Sequence, residues 1–257
     1  MSIDVFSGWV VLVILLSIRL SILFWMTPFD GVGRLPVRVR VITVLVISGV
    51  MASWADIDMG SVADNQWMFF KAGLNEVVIG LFFAFGIYCG FAAIHVAGKV
   101  MDLQSGFGAA GVLNPQAGQQ DPLWGTVLTV FSIFLFYASD MHLVLLKAFS
   151  VMVYLIPPGQ AIYELNYALI IQHAGLMFTW GVMIAAPVIF SLLLIDVGIG
   201  VMAKTMPQMN VYFVMLPLKI FVALMVVTMS LGYLVPTMYG VFDSIPKYWE
   251  RGVVTNV

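Results

Sequence analysis

Charge is scarce in this sequence. Asp, Glu, Lys and Arg supply 9% of its 257 residues, against about a quarter in an ordinary soluble domain. A chain so poor in charge cannot coat itself with a hydrated surface, which excludes a freely soluble globular fold. Cys89 is the only cysteine, so a disulfide framework and a cysteine-based metal site are excluded. The three histidines, His95, His142 and His173, sit on different segments with no ligand spacing such as H-x-x-x-H, and no metal site is expected. Neither G-x-S-x-G, H-E-x-x-H nor a pair of catalytic carboxylates occurs, so the chain reads as non-enzymatic and without a cofactor. Basic residues gather nowhere beyond Arg34, Arg38 and Arg40, and the net charge is −2, so nucleic acid is not an expected partner.

What is abundant is apolar surface. Hydrophobic residues make up 62% of the chain, and the mean hydropathy is +1.04. Lipid or apolar partners must cover that surface. Within lipid, backbone polar groups have to be satisfied inside each segment. The expected class is therefore an all-α integral membrane or membrane-complex protein. A first helix is expected from about residue 8 to 26. MSIDVFSGWVVLVILL has no basic region ahead of its apolar run, so this helix reads as retained and not as a cleaved signal. A second run covers about 41–54, and a long third helix about 67–101. Residues 122–156 are apolar around a polar middle, Ser139-Asp140-Met141-His142, and read as a short helical hairpin that does not cross a bilayer. Beyond Pro157-Pro158-Gly159, a helix over about 168–202 has kink points at Gly181 and Pro187. A turn around Pro207 then leads into a last apolar stretch over about 211–242. No fixed-period repeat is present, and one domain is expected. The arginines of the first loop place that loop on the cytoplasmic side and the N-terminus outside.

The segment SGFGAAG, with Gly106, Gly108 and Gly111, spells G-x-G-x-x-G. A dinucleotide-binding turn needs a strand before it and a helix opening directly after it. Here a helical pattern precedes and VLNPQAGQQDP follows, so the match is a coincidence of composition. Two readings remain for residues 105–122. One is an ordinary solvent loop. The other is a flexible re-entrant plug with glycine hinges and occluding Phe107, Val112 and Leu113, since non-helical backbone at membrane depth must be buried in protein or line an aqueous path.

Gly86, Gly90, Ala93 and Ala97 form a small-residue stripe on the third helix, which predicts a tightly packed helix partner. Asp196 and Lys219 are charges inside apolar runs, each costing about 2.5–3.5 kcal/mol at a helix centre. A turn at Pro207-Gln208 puts them at equal depth, and they are expected to form a buried pair that fixes helix register. Arg19 has two open readings, snorkelling to an interface or meeting a carboxylate. The 17 methionines serve either as adaptable filler or as a deformable seal around variable cargo.

Three stretches, SIRLSILFWMTPFDGVGRLPVRVRV, GKVMDLQSGFGAAGVLNPQAGQQDPLWG and AKTMPQMNVYFVMLPLKI, resemble the FliR/SctT family of type III export-gate proteins, and the resemblance covers nearly the whole chain. It implies kinked, tilted helical hairpins assembled with FliP-like and FliQ-like subunits, and an associated FlhB-like protein, around a closed pore for unfolded export substrates. The implied location is the bacterial inner membrane within the flagellar basal body, or an injectisome for an SctT-type relative. By match of motif it implies a plug over residues 105–120, with Ser105, Gly106, Phe107, Gly108, Gly111, Leu113, Asn114 and Pro115 contributing to closure. It places Gln208, Asn210 and Lys219 in buried helical packing. The family's usual Asn-Gly-His between the two short helices is replaced here by Ser139-Asp140-Met141-His142. A small-molecule transporter is the rival from a different class, but the halves and broken-helix site it would need are not evident.

Overall fold

The computed structural model describes residues 2–26, 36–55, 57, 59–63, 65–107, 123–160, 166–205 and 211–254. Every regular element among them is a helix: α1 Ser2–Met26, α2 Val37–Trp54, α3 Gly60–Ala63, α4 Gln66–Ser105, α5 Leu123–Ala138, α6 Met141–Leu155, α7 Tyr167–Thr205, α8 Val211–Met229 and α9 Leu231–Val254. α1, α2, α4 and α7 are long and apolar enough to cross a membrane, and up to six crossings result if the broken pairs α5/α6 and α8/α9 each count as one. The 40-residue α4 is about 60 Å long at 1.5 Å per residue. That is twice a hydrocarbon core of about 30 Å, so α4 must tilt steeply or project beyond it.

Two expected boundaries differ. The last apolar stretch is not one helix, because it breaks at Ser230 into α8 and α9, bent by 68°. The Ser230 hydroxyl donates to Val227 C=O at 3.0 Å, while its own C=O accepts from Tyr233 and Leu234 at 2.8 and 2.9 Å. One serine thus ends α8 and starts α9. The helix also continues past residue 242 to Val254. The apolar run stops there because one face becomes charged, with Asp243, Lys247, Glu250 and Arg251 exposed. The other face keeps its apolar spacing through Ile245, Tyr248, Trp249 and Val253, all buried. In the middle of the 122–156 stretch the chain breaks at Ser139–Asp140, where Asp140 has φ 56, a left-handed conformation that Asp tolerates better than most residues.

The chain forms two compact units. The first comprises residues 1–89, 139–173 and 244–257. Its core joins Leu12, Leu15, Leu16 and Leu20 of α1 to Ile79, Phe83 and Ile87 of α4, Phe149 of α6 and Trp249 of α9. Phe83 meets Trp249 at 5.1 Å and Phe149 at 6.2 Å between ring centroids, and the Trp249 indole N–H donates to Phe83 C=O at 3.0 Å. His173 and Phe82 stack on Tyr248 at 4.2 and 4.6 Å.

At the centre of this unit lies a charge. Arg19, wholly buried, donates from Nε to Glu76 Oε2 at 2.6 Å and from Nη2 to Glu76 Oε1 at 3.0 Å. Its Nη1 donates to Ile156 C=O at 3.2 Å, and Glu76 Oε1 also accepts the Gly159 N–H at 2.8 Å. That amide is aimed by the Pro157-Pro158-Gly159 turn, closed by Gln160 N–H to Pro157 C=O at 3.2 Å. Gly159 has φ 87, as the third residue of a type II turn requires. The carboxylate, and not the interface, is therefore where Arg19 goes.

The second unit comprises residues 90–138 and 174–243. Phe91 of α4, Phe136 of α5 and Phe242 of α9 form a triangle of rings with centroids 5.3–5.8 Å apart. Ile184, Ala185, Val188 and Leu192 of α7 and Leu234, Met238 and Val241 of α9 complete its core.

Removing one member of a buried ion pair leaves the other uncompensated and costs about 3–5 kcal/mol, whereas replacing both with apolar groups is often near neutral. Arg19→Met alone should therefore lower the thermal unfolding midpoint sharply. Arg19→Met with Glu76→Leu should recover most of the loss. The double-mutant cycle in a fixed detergent measures the coupling, and additive losses would disprove it.

Candidate functional site

The glycine-rich segment leaves α4 at its C-terminus, and the structure describes both of its roots. Ser105 is fully buried and its hydroxyl donates back to Met101 C=O at 2.7 Å. Gly106 follows with φ 85, the left-handed residue that commonly ends a helix. A Cβ there would stand 2.8 Å from Leu216 Cδ1 of α8. Conformation is what demands glycine at position 106, since the tip of the Leu216 side chain can turn aside. Phe107 is half-buried and meets Trp124 of α5 edge to face, with centroids 6.4 Å apart.

The far root is tied to the near one. Asp102, one turn before the end of α4 and 4% exposed, accepts the Trp124 N–H at 3.0 and 3.2 Å through its two carboxylate oxygens. It also accepts the Gly125 N–H at 3.4 Å. The first amides of a helix lack intrahelical acceptors and carry the positive end of its dipole, so a carboxylate is their preferred partner. Below this cap, Gly98 lies against Gly125 so closely that a Cβ on Gly98 would overlap the α5 backbone. Asp102 and the Gly98–Gly125 contact hold residues 107 and 123 as the two ends of a closed base. None of this was visible in the chain order, because the capping residue lies 22 positions before the amide it caps. The one available signal was an acid near the end of an otherwise apolar helix.

Of the residues singled out from sequence for the plug, Ser105, Gly106 and Phe107 sit at this base, while Gly108, Gly111, Leu113, Asn114 and Pro115 lie outside the described residues. Gln208 and Asn210 lie outside them too. The Lys219 ammonium contacts Asp196 Oδ1. The lysine side chain is 11% exposed and the aspartate 38%, so within this chain the pair is open on its acidic side and not wholly buried. Gly86 packs on Tyr248 and Trp249 in the first unit. In the second, Gly90, Ala93 and Ala97 are buried, and Gly181 of α7 comes within 3.1 Å (measured from a Cβ position) of Ala93 C=O. No group of three His, Cys, Asp or Glu able to hold a metal occurs among the described residues.

Comparison with known proteins adds a lineage to this geometry. The sequence profile described as "Bacterial export proteins, family 1" matches residues 10–245. The flagellar biosynthetic protein FliR of Bacillus subtilis (strain 168) is 30% identical over 239 residues, covering 91% of this chain and 90% of that protein. FliR of Caulobacter vibrioides is 26% identical over 216 residues, 83% of this chain and 86% of that protein. The surface presentation of antigens protein SpaR of Shigella flexneri is 26% identical over 209 residues, 81% of this chain and 80% of that protein.

Hydrogen bonds to a charged acceptor are worth about 1.5–3 kcal/mol. Asp102→Ala should therefore free the α5 start and speed proteolytic cleavage within residues 108–122 several-fold under native conditions. Gly98→Val should do the same by forcing α4 and α5 apart. Cleavage at the wild-type rate in both variants would show that the base is not held in this way.

Proposed function

The chain belongs to the bacterial export proteins of family 1, and from that premise we propose that it is a non-enzymatic subunit of a type III export gate, most closely of the flagellar kind. The match over residues 10–245 carries this reading. The flagellar choice is supported by the higher identity and coverage with the Bacillus FliR, 30% and 91%, than with SpaR, 26% and 81%. An injectisome gate is the second reading, which the SpaR similarity keeps open.

In the proposed assembly the chain joins FliP-like and FliQ-like subunits, with an FlhB-like protein, around a pore for unfolded polypeptides. The work of export comes from a proton gradient and an associated ATPase, not from this chain. The location is the bacterial inner membrane at the flagellar basal body. Apolar side chains left open support burial in such an assembly: Phe178, Phe190, Val201, Phe221 and Met229 are 60–73% exposed along α7 and α8. Only 22% of the most apolar window of α7 is buried within the chain, against 67% for α4. Lipid or partner helices have to cover the remainder.

Residues 105–120 act in this reading as the plug. A sealing segment must be free to yield yet return to one position, and a base tied by Asp102 supplies that fixed point. Phe107, Leu113, Asn114 and Pro115 supply the occluding surface, and Gly106, Gly108 and Gly111 the hinges. The Asp196–Lys219 pair fixes the register of α7 and α8, and Gln208 and Asn210 belong with Lys219 to the buried helical packing of the gate.

Co-purification with FliP-like and FliQ-like chains tests the assembly directly, and a stable monomer that moves a small solute in liposomes would overturn it. Deleting residues 105–120 in the assembled gate should raise ion conductance across a planar bilayer, and an unchanged conductance would remove the sealing role. Asp196→Ala should reduce recovery of the complex, while Asp196→Lys with Lys219→Asp should restore part of it. Full recovery of the single variant would remove the pair from the assembly.

A further inference from the structure

The outward surface of α7 and α8 in the second unit is apolar, and one charge interrupts it. Leu193 and Val197 of α7 and Phe221 of α8 are 52–63% exposed. Asp196 stands next to Val197 and one turn beyond Leu193, and its side chain is 38% exposed, against 11% for Lys219. The acid is thus the outward member of the pair. The Lys219 ammonium contacts its Oδ1, and neither side chain meets another residue among those described. A carboxylate accepts about four hydrogen bonds and an ammonium donates three. Both groups leave capacity unused, and the carboxylate presents its share outward.

What can cover this place is limited by its chemistry. Hydrocarbon offers no donor, and an ionised oxygen left without one in an apolar medium is strongly disfavoured. Water would satisfy the oxygen but not the leucine, valine and phenylalanine around it. A further cation would bury a net charge beside a pair that is already neutral. A surface that is apolar except for one neutral donor meets every demand. Gly200, one turn beyond Asp196, is exposed and has nothing within 4 Å of where a Cβ would stand. A helix can therefore come close to α7 there, as helices do at small residues in membranes.

We propose that the α7–α8 face around Asp196 receives a helix of another subunit, apolar on its contact side and carrying one hydroxyl or carboxamide that donates to the open carboxylate oxygen. That the other subunit belongs to an export gate rests on the reading given above. Asp196 then serves two partners at once. Lys219 sets the register of α7 on α8, and the incoming donor sets the register of a third helix on both. The pair is completed only in the assembly.

A photocrosslinking residue at position 197 in the assembled complex should capture a different chain, at a helix with Ser, Thr, Asn or Gln within one turn of the linked residue. Capture of lipid, of a second copy of this chain, or of a helix without such a residue would overturn the proposal. Asp196→Leu with Lys219→Leu removes both charges together, so the unfolding midpoint of the chain should stay near that of the wild type. Its affinity for the captured subunit, read by diluting the purified complex, should nonetheless fall about tenfold. That is the loss of one hydrogen bond to a charged group at roughly 1.5 kcal/mol. Changing the donor to leucine in the partner should weaken binding of the wild-type chain by the same factor and restore binding of the double variant. An unchanged affinity of the wild-type chain for that altered partner would overturn the proposal, even where the double variant proves unstable. Wild-type affinity in the double variant would show that the pair serves α7 and α8 alone, and would leave the gate reading standing. A wild-type chain that retains no other subunit would sink both.

Discussion

A guanidinium that cannot reach water governs the first unit. Arg19 sits inside a run of leucines on a helix long and apolar enough to span a membrane, where an unpaired charge would be prohibitive. Glu76 answers it with two parallel hydrogen bonds, the geometry in which arginine and carboxylate fit best. The remaining capacity of both groups goes to backbone at Ile156 and Gly159. Three segments far apart in the chain, α1, α4 and the turn after α6, are therefore in register around one charge. The arrangement specifies more than it stabilises, because desolvating two ions offsets most of their attraction. An alternative packing of the same leucines would strand one of them.

The helices were legible from the sequence because long apolar runs in lipid have only one economical backbone. α2, α4 and α7 follow their runs within a few residues, whereas α1 begins at Ser2, ahead of its expected start near residue 8. Where hydropathy and helix part company, the reading failed. α9 continues past the last apolar block because its charges share one face, and α8 ends at a serine that no hydropathy profile distinguishes. Lys219 and Asp196 could be matched because their helices follow each other closely in the chain. Arg19 and Glu76 could not, since they lie 57 positions apart and equal depth singles out no partner. The glycine-rich segment was recognisable as special, but its attachment was not, because Asp102 caps an amide 22 positions further along the chain.

Much of the apolar surface of α2 and α7 has no cover within the chain. In a soluble protein that would be a fault. In a member of this family it divides labour among the helices. α4 is buried along most of its length and carries the internal contacts, whereas α2 and α7 turn apolar side chains outward to lipid or to other subunits. On α7 the division runs by face, because Ile184, Ala185, Val188 and Leu192 of the same helix enter the second core.

The carboxylate clasp at the end of α4 has a further consequence. Closing a loop costs entropy that grows only slowly with its length, about 0.6 kcal/mol per doubling. Asp102 fixes where α5 begins, whatever number of residues lies between the two helices. The span between residues 107 and 123 is thereby released from the duty of aligning helices. That span can be lengthened, shortened or rewritten while the frame that carries it stays the same.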